Sequence, residues 1–215
     1  MSQTTTLAST EAGEVVPGGH APTHETNTGA SNAKMGIWIF LSSDALFFGA
    51  FISTYLLYRG RDSENLGGPT PDELFDIPFT SATSFILLMS SLTMVLALAA
   101  IQRGDQRRFH IWCLATALFG LTFIGGQVFE FTEFYREGLT LNTNLFGTTF
   151  FVLTGFHGAH VTIGIIWLLS LWVRSMQGKL GTDKSEAVEI AGLYWHFVDI
   201  VWIVIFTVIY LAPQS

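Results

Sequence analysis

The chain has 215 residues, of which 49% are hydrophobic and only 13% are charged, and its mean hydropathy is +0.44. These values exclude an ordinary water-soluble domain and indicate an integral membrane protein. The formal charge of −7 arises in the tail and the loops, and we expect no nucleic-acid partner.

Residues 1–34 form a polar tail that is rich in Thr, Gly, Ser and Ala. The tail contains no apolar segment of the signal-peptide type. A mitochondrial transit peptide is rich in arginine, and no arginine occurs here before Arg59. This composition predicts a disordered segment. His20 and His24 within it are interpreted as solvated side chains rather than metal ligands.

Five apolar blocks follow the tail, at residues 35–58, 80–101, 111–135, 145–173 and 191–211. Each reaches the length of about 20 residues that a helix needs to cross a hydrocarbon core of ~30 Å. The blocks are too long for strands and lack the polar and apolar alternation of a membrane β-barrel. The sequence therefore predicts an all-α integral membrane bundle of five transmembrane helices over residues 35–215.

The Lys and Arg residues are distributed unequally between the two sides of such a bundle. Seven lie on the side of the N-terminal tail, and three, including Arg59 and Arg61, lie on the other side. The positive-inside rule then predicts a cytoplasmic N-terminus and an external C-terminus.

Two acidic residues, Asp44 and Glu130, interrupt the apolar blocks. Asp44 lies about 14 Å from the start of the first block by helical rise, close to the bilayer midplane. Because a charge is costly at that depth, we expect the Asp44 carboxyl to be neutral unless a cation or a chain of water molecules reaches it. The residues alone leave open whether Asp44 bonds a neighbouring helix, or a serine such as Ser43, or supports proton uptake or lipid binding.

Histidines also occur inside the blocks. His157 and His160 share one face of the fourth helix, and His196 and Asp199 share one face of the fifth. Haem or copper ligation is one interpretation, and hydrogen bonding between helices is the other. We favour the second, because two histidines three residues apart on one helix are not an opposing axial pair. Small residues nearby would let helices approach closely, namely Gly155, Gly158 and Gly164.

Four segments, in this order along the chain, resemble those of subunit III of the haem-copper oxidases. They are GIWIFLSSDALFFGAF, GGQVFEFTEF, GTTFFVLTGFHGAHVTIG and GLYWHFVDIVWIVIFTVIYL, and the resemblance extends over residues 35–211. Mitochondrial members have seven helices, and this chain is similar to the shorter bacterial form that lacks the first two.

The resemblance implies a non-catalytic subunit in a bacterial inner-membrane cytochrome c oxidase. Such a complex transfers electrons from cytochrome c to O2 and translocates protons, with haem and copper held in subunits I and II. Subunit III packs on subunit I, binds phospholipid in a cleft between helix groups, and sustains proton uptake and turnover. The five-helix form leaves this cleft incomplete unless helices of another subunit fill it.

For individual residues, the resemblance implies no catalytic residue and no metal or other cofactor site in this chain. It implies that Asp44, where many members have a glutamate, and Glu130 support proton uptake. Arg174 matches, by its spacing from His160, a basic residue near a phospholipid headgroup. The remaining polar residues are implied to make interhelical or intersubunit contacts, namely His157, His160, His196 and Asp199.

Three alternatives remain open at this stage. The first is subunit III of a quinol oxidase, whose motifs are equally similar. The second is an accessory subunit of nitric oxide reductase. The third is an independent small transporter with Asp44 and Glu130 as ion sites. The sequence argues against a transporter, because it has neither inverted repeats nor helices interrupted by Gly or Pro.

The predicted orientation can be tested with reporter fusions. Alkaline phosphatase fused after Ser215 should be active, because the charge asymmetry places the C-terminus outside, and the same enzyme fused at Met1 should be inactive. An inactive C-terminal fusion, with the protein present in the membrane, would contradict both the count of five helices and the family resemblance.

Overall fold

The computed structural model describes residues 31–58, 76–139 and 145–211. All regular structure within these ranges is helical, and five helices there are long and apolar enough to cross a membrane. The predicted all-α bundle with five spans is thus confirmed. Of the predicted disordered tail, residues 1–30 lie outside the described residues, as do residues 59–75 between the first two helices.

The helices are numbered here in chain order. They are α1 (Asn32–Tyr58), α2 (Ile77–Gln102), α3 (Gln106–Arg136), α4 (Leu145–Met176) and α5 (Ser185–Phe206). A short 3-10 turn, Thr182–Lys184, precedes α5, and a π-helical turn, Thr207–Leu211, continues it to the end of the described chain.

Four of the five helices begin earlier than their apolar blocks, because helix ends are set by capping as well as by hydropathy. Asp76 caps α2 by accepting a hydrogen bond from the backbone N–H of Phe79 at 3.1 Å. Asp105 caps α3 in the same way, accepting from Arg108 at 3.0 Å. Both helices therefore gain about one turn ahead of the predicted span, apolar in α2 and mostly polar in α3.

The first and last helices also start ahead of their blocks. The helix α1 takes in residues 32–34, which the sequence assigned to the tail, and the ammonium of Lys34 lies 2.9 Å from a carboxylate oxygen of Glu189 on α5. The helix α5 starts at Ser185 rather than at residue 191, because Val188 in its first turns is buried in the core. The Lys34 to Glu189 ion pair joins these two helix starts.

Four of the helices form a closed ring in which α2 packs against α3, α3 against α4, α4 against α5, and α5 against α2. The helix α1 lies at the periphery of this ring. Its buried residues fall in one narrow stripe, namely Leu41, Asp44, Phe48 and Tyr55. Since most of α1 is exposed, its attachment depends on a few large or polar side chains.

The indole of Trp195 on α5 fills the space between the other ring helices. It is 1% exposed, and its N–H donates to the Ser90 hydroxyl oxygen of α2 at 2.9 Å. A Cβ atom on Gly120 of α3 would lie 2.7 Å from the indole, and one on Gly164 of α4 would lie 2.8 Å from it. The two glycines therefore leave room for this ring.

The three glycines singled out in the sequence differ in their surroundings. Gly164 seats Trp195, and a Cβ on Gly158 would meet the side-chain oxygen of Gln127 on α3. A Cβ on Gly155, by contrast, would have no described atom outside its own helix within 4 Å. The close helix approach expected from these glycines occurs at two of the three positions in the described part of the chain.

The packing of Trp195 can be tested by replacing Gly164 with alanine. The added methyl must displace a fully packed indole, and overpacking of this kind costs about 1–3 kcal/mol. We expect Gly164→Ala to lower the melting temperature of the detergent-solubilised protein. The matched control is Gly155→Ala on the same helix, which shares the gain in helix propensity but not the clash. Equal melting temperatures for the two variants would contradict the packing described for Trp195.

Candidate functional site

Asp44 and His160 connect the peripheral helix to the ring. The Asp44 side chain is buried, and its Oδ1 lies 3.4 Å from Nε2 of His160 on α4. The other ring nitrogen of His160, Nδ1, donates to the carbonyl oxygen of Phe156 at 2.8 Å, since a carbonyl can only accept. In the neutral ring Nε2 is then the acceptor, and a protonated Asp44 is the matching donor.

The second oxygen of Asp44, Oδ2, is buried and has no hydrogen-bond partner among the described residues. The ring of Phe48 packs beside the pair, with its centroid 5.1 Å from that of His160. This places a carboxyl group with spare hydrogen-bonding capacity at the contact between α1 and α4.

His157 behaves differently from His160, although both lie on one face of α4. It is fully buried, and neither ring nitrogen has a hydrogen-bond partner among the described residues. Its ring stacks on Trp202 of α5 at a centroid distance of 4.8 Å, and Phe123 of α3 contacts it edge-on at 5.8 Å. Among the described residues, His157 therefore contacts its neighbouring helices through aromatic rings, and its expected polar contact stays a prediction.

His196 and Asp199 meet the same residue on the neighbouring helix. The hydroxyl of Ser91 on α2 donates to Oδ2 of Asp199, and Nδ1 of His196 lies 2.9 Å from the same hydroxyl oxygen. One serine thus joins the imidazole and the carboxyl group within the chain. Oδ1 of Asp199 is buried without a hydrogen-bond partner in the described ranges.

Glu130 lies at the opposite end of the bundle from Lys34, at the contact of three helices. It is 7% exposed, and the hydroxyl of Thr80 on α2 donates to its Oε1 at 2.5 Å. The hydroxyl of Tyr210, in the π-helical turn that ends α5, also hydrogen-bonds the Glu130 carboxyl. The structure thus places Glu130 in a contact of α2, α3 and the end of α5, separate from the contact between Asp44 and His160.

Several polar contacts involve residues that the sequence analysis did not single out. Ser84 of α2 accepts from the indole N–H of Trp202 at 2.8 Å. At the Lys34 end, Ser175 contacts His110 at 2.9 Å and donates to Gln106 at 2.7 Å. One signal for such contacts is the seven-residue spacing of Ser84 and Ser91, which places both serines on one face of α2.

Arg174 lies in the last turn of α4 and is exposed. No ion pair or side-chain hydrogen bond of its guanidinium occurs within the described ranges. Among the same residues, no group of three or more His, Cys, Asp or Glu side chains is arranged to hold a metal ion. The polar groups inside the bundle are therefore arranged mainly as contacts between helices.

Comparison with known proteins decides the family. The profile of the family described as cytochrome c oxidase subunit III matches residues 13–213. The chain belongs to the cytochrome c oxidase subunit III family.

Relatives with two different names share this similarity. Cytochrome c oxidase subunit 3 of Bacillus sp. (strain PS3) is 36% identical over 191 residues, which cover 89% of this chain and 91% of the relative. Quinol oxidase subunit 3 of Bacillus subtilis (strain 168) is 38% identical, covering 87% and 90%. Cytochrome c oxidase subunit 3 of the same organism is 35% identical, covering 84% and 86%. Identity therefore does not separate the two kinds of oxidase.

Family membership indicates what kind of protein the chain is. It is a multi-pass membrane protein and a subunit of an oxidoreductase complex, in which it associates with other oxidase subunits. This replaces the hypothesis of an independent transporter. The acidic and imidazole groups described above are thus features of a subunit III.

The contact between Asp44 and His160 can be tested by two substitutions of similar size. Asp44→Asn keeps an N–H that can donate to Nε2 of His160, whereas Asp44→Leu leaves that buried nitrogen without a donor, which costs about 1–3 kcal/mol. We expect the Leu variant to melt at a lower temperature in detergent than the parent, and the Asn variant to melt near the parent. Equal losses in both variants would indicate an ion pair and contradict the neutral hydrogen bond.

Proposed function

We propose that this chain is the non-catalytic subunit III of a cytochrome c oxidase in a bacterial inner membrane. In this proposal, electrons pass from cytochrome c to O2 through haem and copper in subunits I and II, and protons are translocated there. The chain itself holds no haem or copper. It packs on subunit I, binds phospholipid, and sustains proton uptake and turnover.

The observation that carries the proposal is how the acidic groups inside the bundle are placed. Asp44 lies beside His160, Glu130 bonds Thr80 and Tyr210, and Asp199 bonds Ser91. Each group is engaged across a helix contact, an arrangement that suits a subunit whose spans must stay together in lipid. Such a subunit needs no redox group of its own.

Asp44 is the residue we assign to the support of proton uptake. Its Oδ1 is engaged with His160, while its Oδ2 is buried without a partner among the described residues and can bond a water molecule inside the bundle. Asp44 lies on the least buried helix of the bundle, so a neighbouring subunit or lipid can approach this helix closely. Glu130 is assigned the same supporting role at the other end of the bundle.

Phospholipid is assigned to the bundle surface near Arg174. The guanidinium is exposed at the end of a spanning helix, where lipid phosphate groups lie, and an arginine there binds phosphate through charged hydrogen bonds. By the positive-inside rule this end faces the cytoplasm.

A quinol oxidase subunit III is the second candidate. Relatives of that name are as similar to this chain as those named for cytochrome c oxidase. Because the electron donor is bound by other subunits in the proposed complex, the spans described above suit either donor.

Purification of the tagged chain from its native membrane in a mild detergent tests the proposal. We expect haem and copper to co-purify in fixed ratio to the chain, and the preparation to consume O2 with reduced cytochrome c. Activity with a quinol alone would select the second candidate. A tagged chain that is folded and abundant but purifies without haem and copper would contradict both.

A further inference from the structure

A groove lies between α1 and α5 on the outer surface of the bundle. Its volume is about 330 Å³. Its lining is apolar apart from one hydroxyl, one imidazole and the indole N–H of Trp38. The residues that matter below are Trp38, Ser42 and Ala45 on α1 and His196, Phe197 and Ile200 on α5.

The imidazole in this groove has an unused acceptor. The Ser91 hydroxyl donates its hydrogen to Asp199, so its oxygen accepts from Nδ1–H of His196. In the neutral ring Nε2 then carries a lone pair and no hydrogen. No hydrogen bond to Nε2 occurs in the part of the chain that the structure describes.

The depth of His196 restricts what can supply a donor to Nε2. His196 follows Glu189 by seven residues along α5, which places it about 10 Å deeper than the Lys34 to Glu189 ion pair by helical rise. Lipid headgroups lie outside the hydrocarbon core, and acyl chains carry no hydrogen-bond donor. A phospholipid in the groove would therefore leave the imidazole unsatisfied.

We propose that a transmembrane helix of a partner oxidase subunit occupies this groove and donates a hydrogen bond to Nε2 of His196. The donor is a hydroxyl or an indole N–H, since these groups are tolerated in an apolar span. The inference rests on the proposed function, which supplies the partner subunits, and it names the face of the chain that one of them contacts.

The α1 wall of the groove suits a helix in close contact. Ala45 has a single methyl, and Ser42 donates its hydroxyl to the carbonyl oxygen of Trp38 at 2.8 Å, so neither projects far from the backbone. Small residues of this kind let two helices approach closely in a membrane. Trp38 and Ile200, which are 57% and 60% exposed, flank the groove and would be covered by the partner.

Photo-crosslinking in the assembled complex tests the contact directly. Benzoylphenylalanine replaces Ala45 in the groove or, as the matched control, Ala50, which is an exposed residue about 140° further round α1. After irradiation of native membranes, we expect an adduct between position 45 and another oxidase subunit, in a yield several times that at position 50. Only lipid or quinone adducts at position 45, or equal protein adducts at both positions, would overturn the proposal.

Filling the groove gives a second measurement. Ala45→Trp should reduce the fraction of chain that co-purifies with haem and copper by about tenfold, the factor that corresponds to a loss of 1.4 kcal/mol. Ala50→Trp should leave that fraction unchanged. A large apolar side chain is compatible with lipid, so an unchanged fraction in Ala45→Trp would overturn the proposal.

These outcomes are distinct from a failure of the proposed function. If the parent chain co-purifies with haem and copper but position 45 meets only lipid, the groove assignment fails and the oxidase assignment stands. If no haem or copper co-purifies with the parent chain, the oxidase assignment itself fails, and the groove assignment that rests on it fails too. The amount of each variant in the membrane, measured against the parent, separates lost assembly from lost folding.

Discussion

A polar atom inside a bilayer must find its partner within the protein, and the rest of this structure depends on how that requirement is met. Three serines of α2 meet four polar side chains of α5. The pairs are Ser84 with Trp202, Ser90 with Trp195, and Ser91 with both His196 and Asp199. Because these contacts lie at successive levels of the two helices, they fix the register of α5 against α2. With that register, Trp195 reaches the glycines of α3 and α4 and closes the ring.

The same constraint explains why α1 differs from the other helices. Among the described residues, its attachment to the ring includes Asp44 beside His160, Phe48, and the Lys34 to Glu189 ion pair. A helix attached so sparingly leaves a groove along its contact with α5. In our proposal, a helix of a partner subunit completes this surface.

Much of this architecture is accessible from the sequence, and the reason is the bilayer. A span of fixed length in lipid must be helical, so the number and class of the helices follow from apolar blocks, and the rarity of polar residues there draws attention to Asp44, Glu130 and His160. The partners of these residues are not accessible in the same way. Ser91 is indistinguishable in sequence from Ser42, which bonds its own helix, and only the packing of α2 on α5 decides between the two roles.

His157 shows the other limit, because a buried histidine in sequence suggests hydrogen bonds and the structure gives it a stack on Trp202 instead. The central claim is that the histidines of this chain serve the packing of helices and not the binding of a redox metal. The most direct measurement is the visible spectrum and metal content of the chain after separation from its partner subunits in detergent. The account predicts a colourless protein without haem or copper. Stoichiometric haem or copper that stays with the separated chain, and is lost on His157→Leu or His160→Leu, would contradict it.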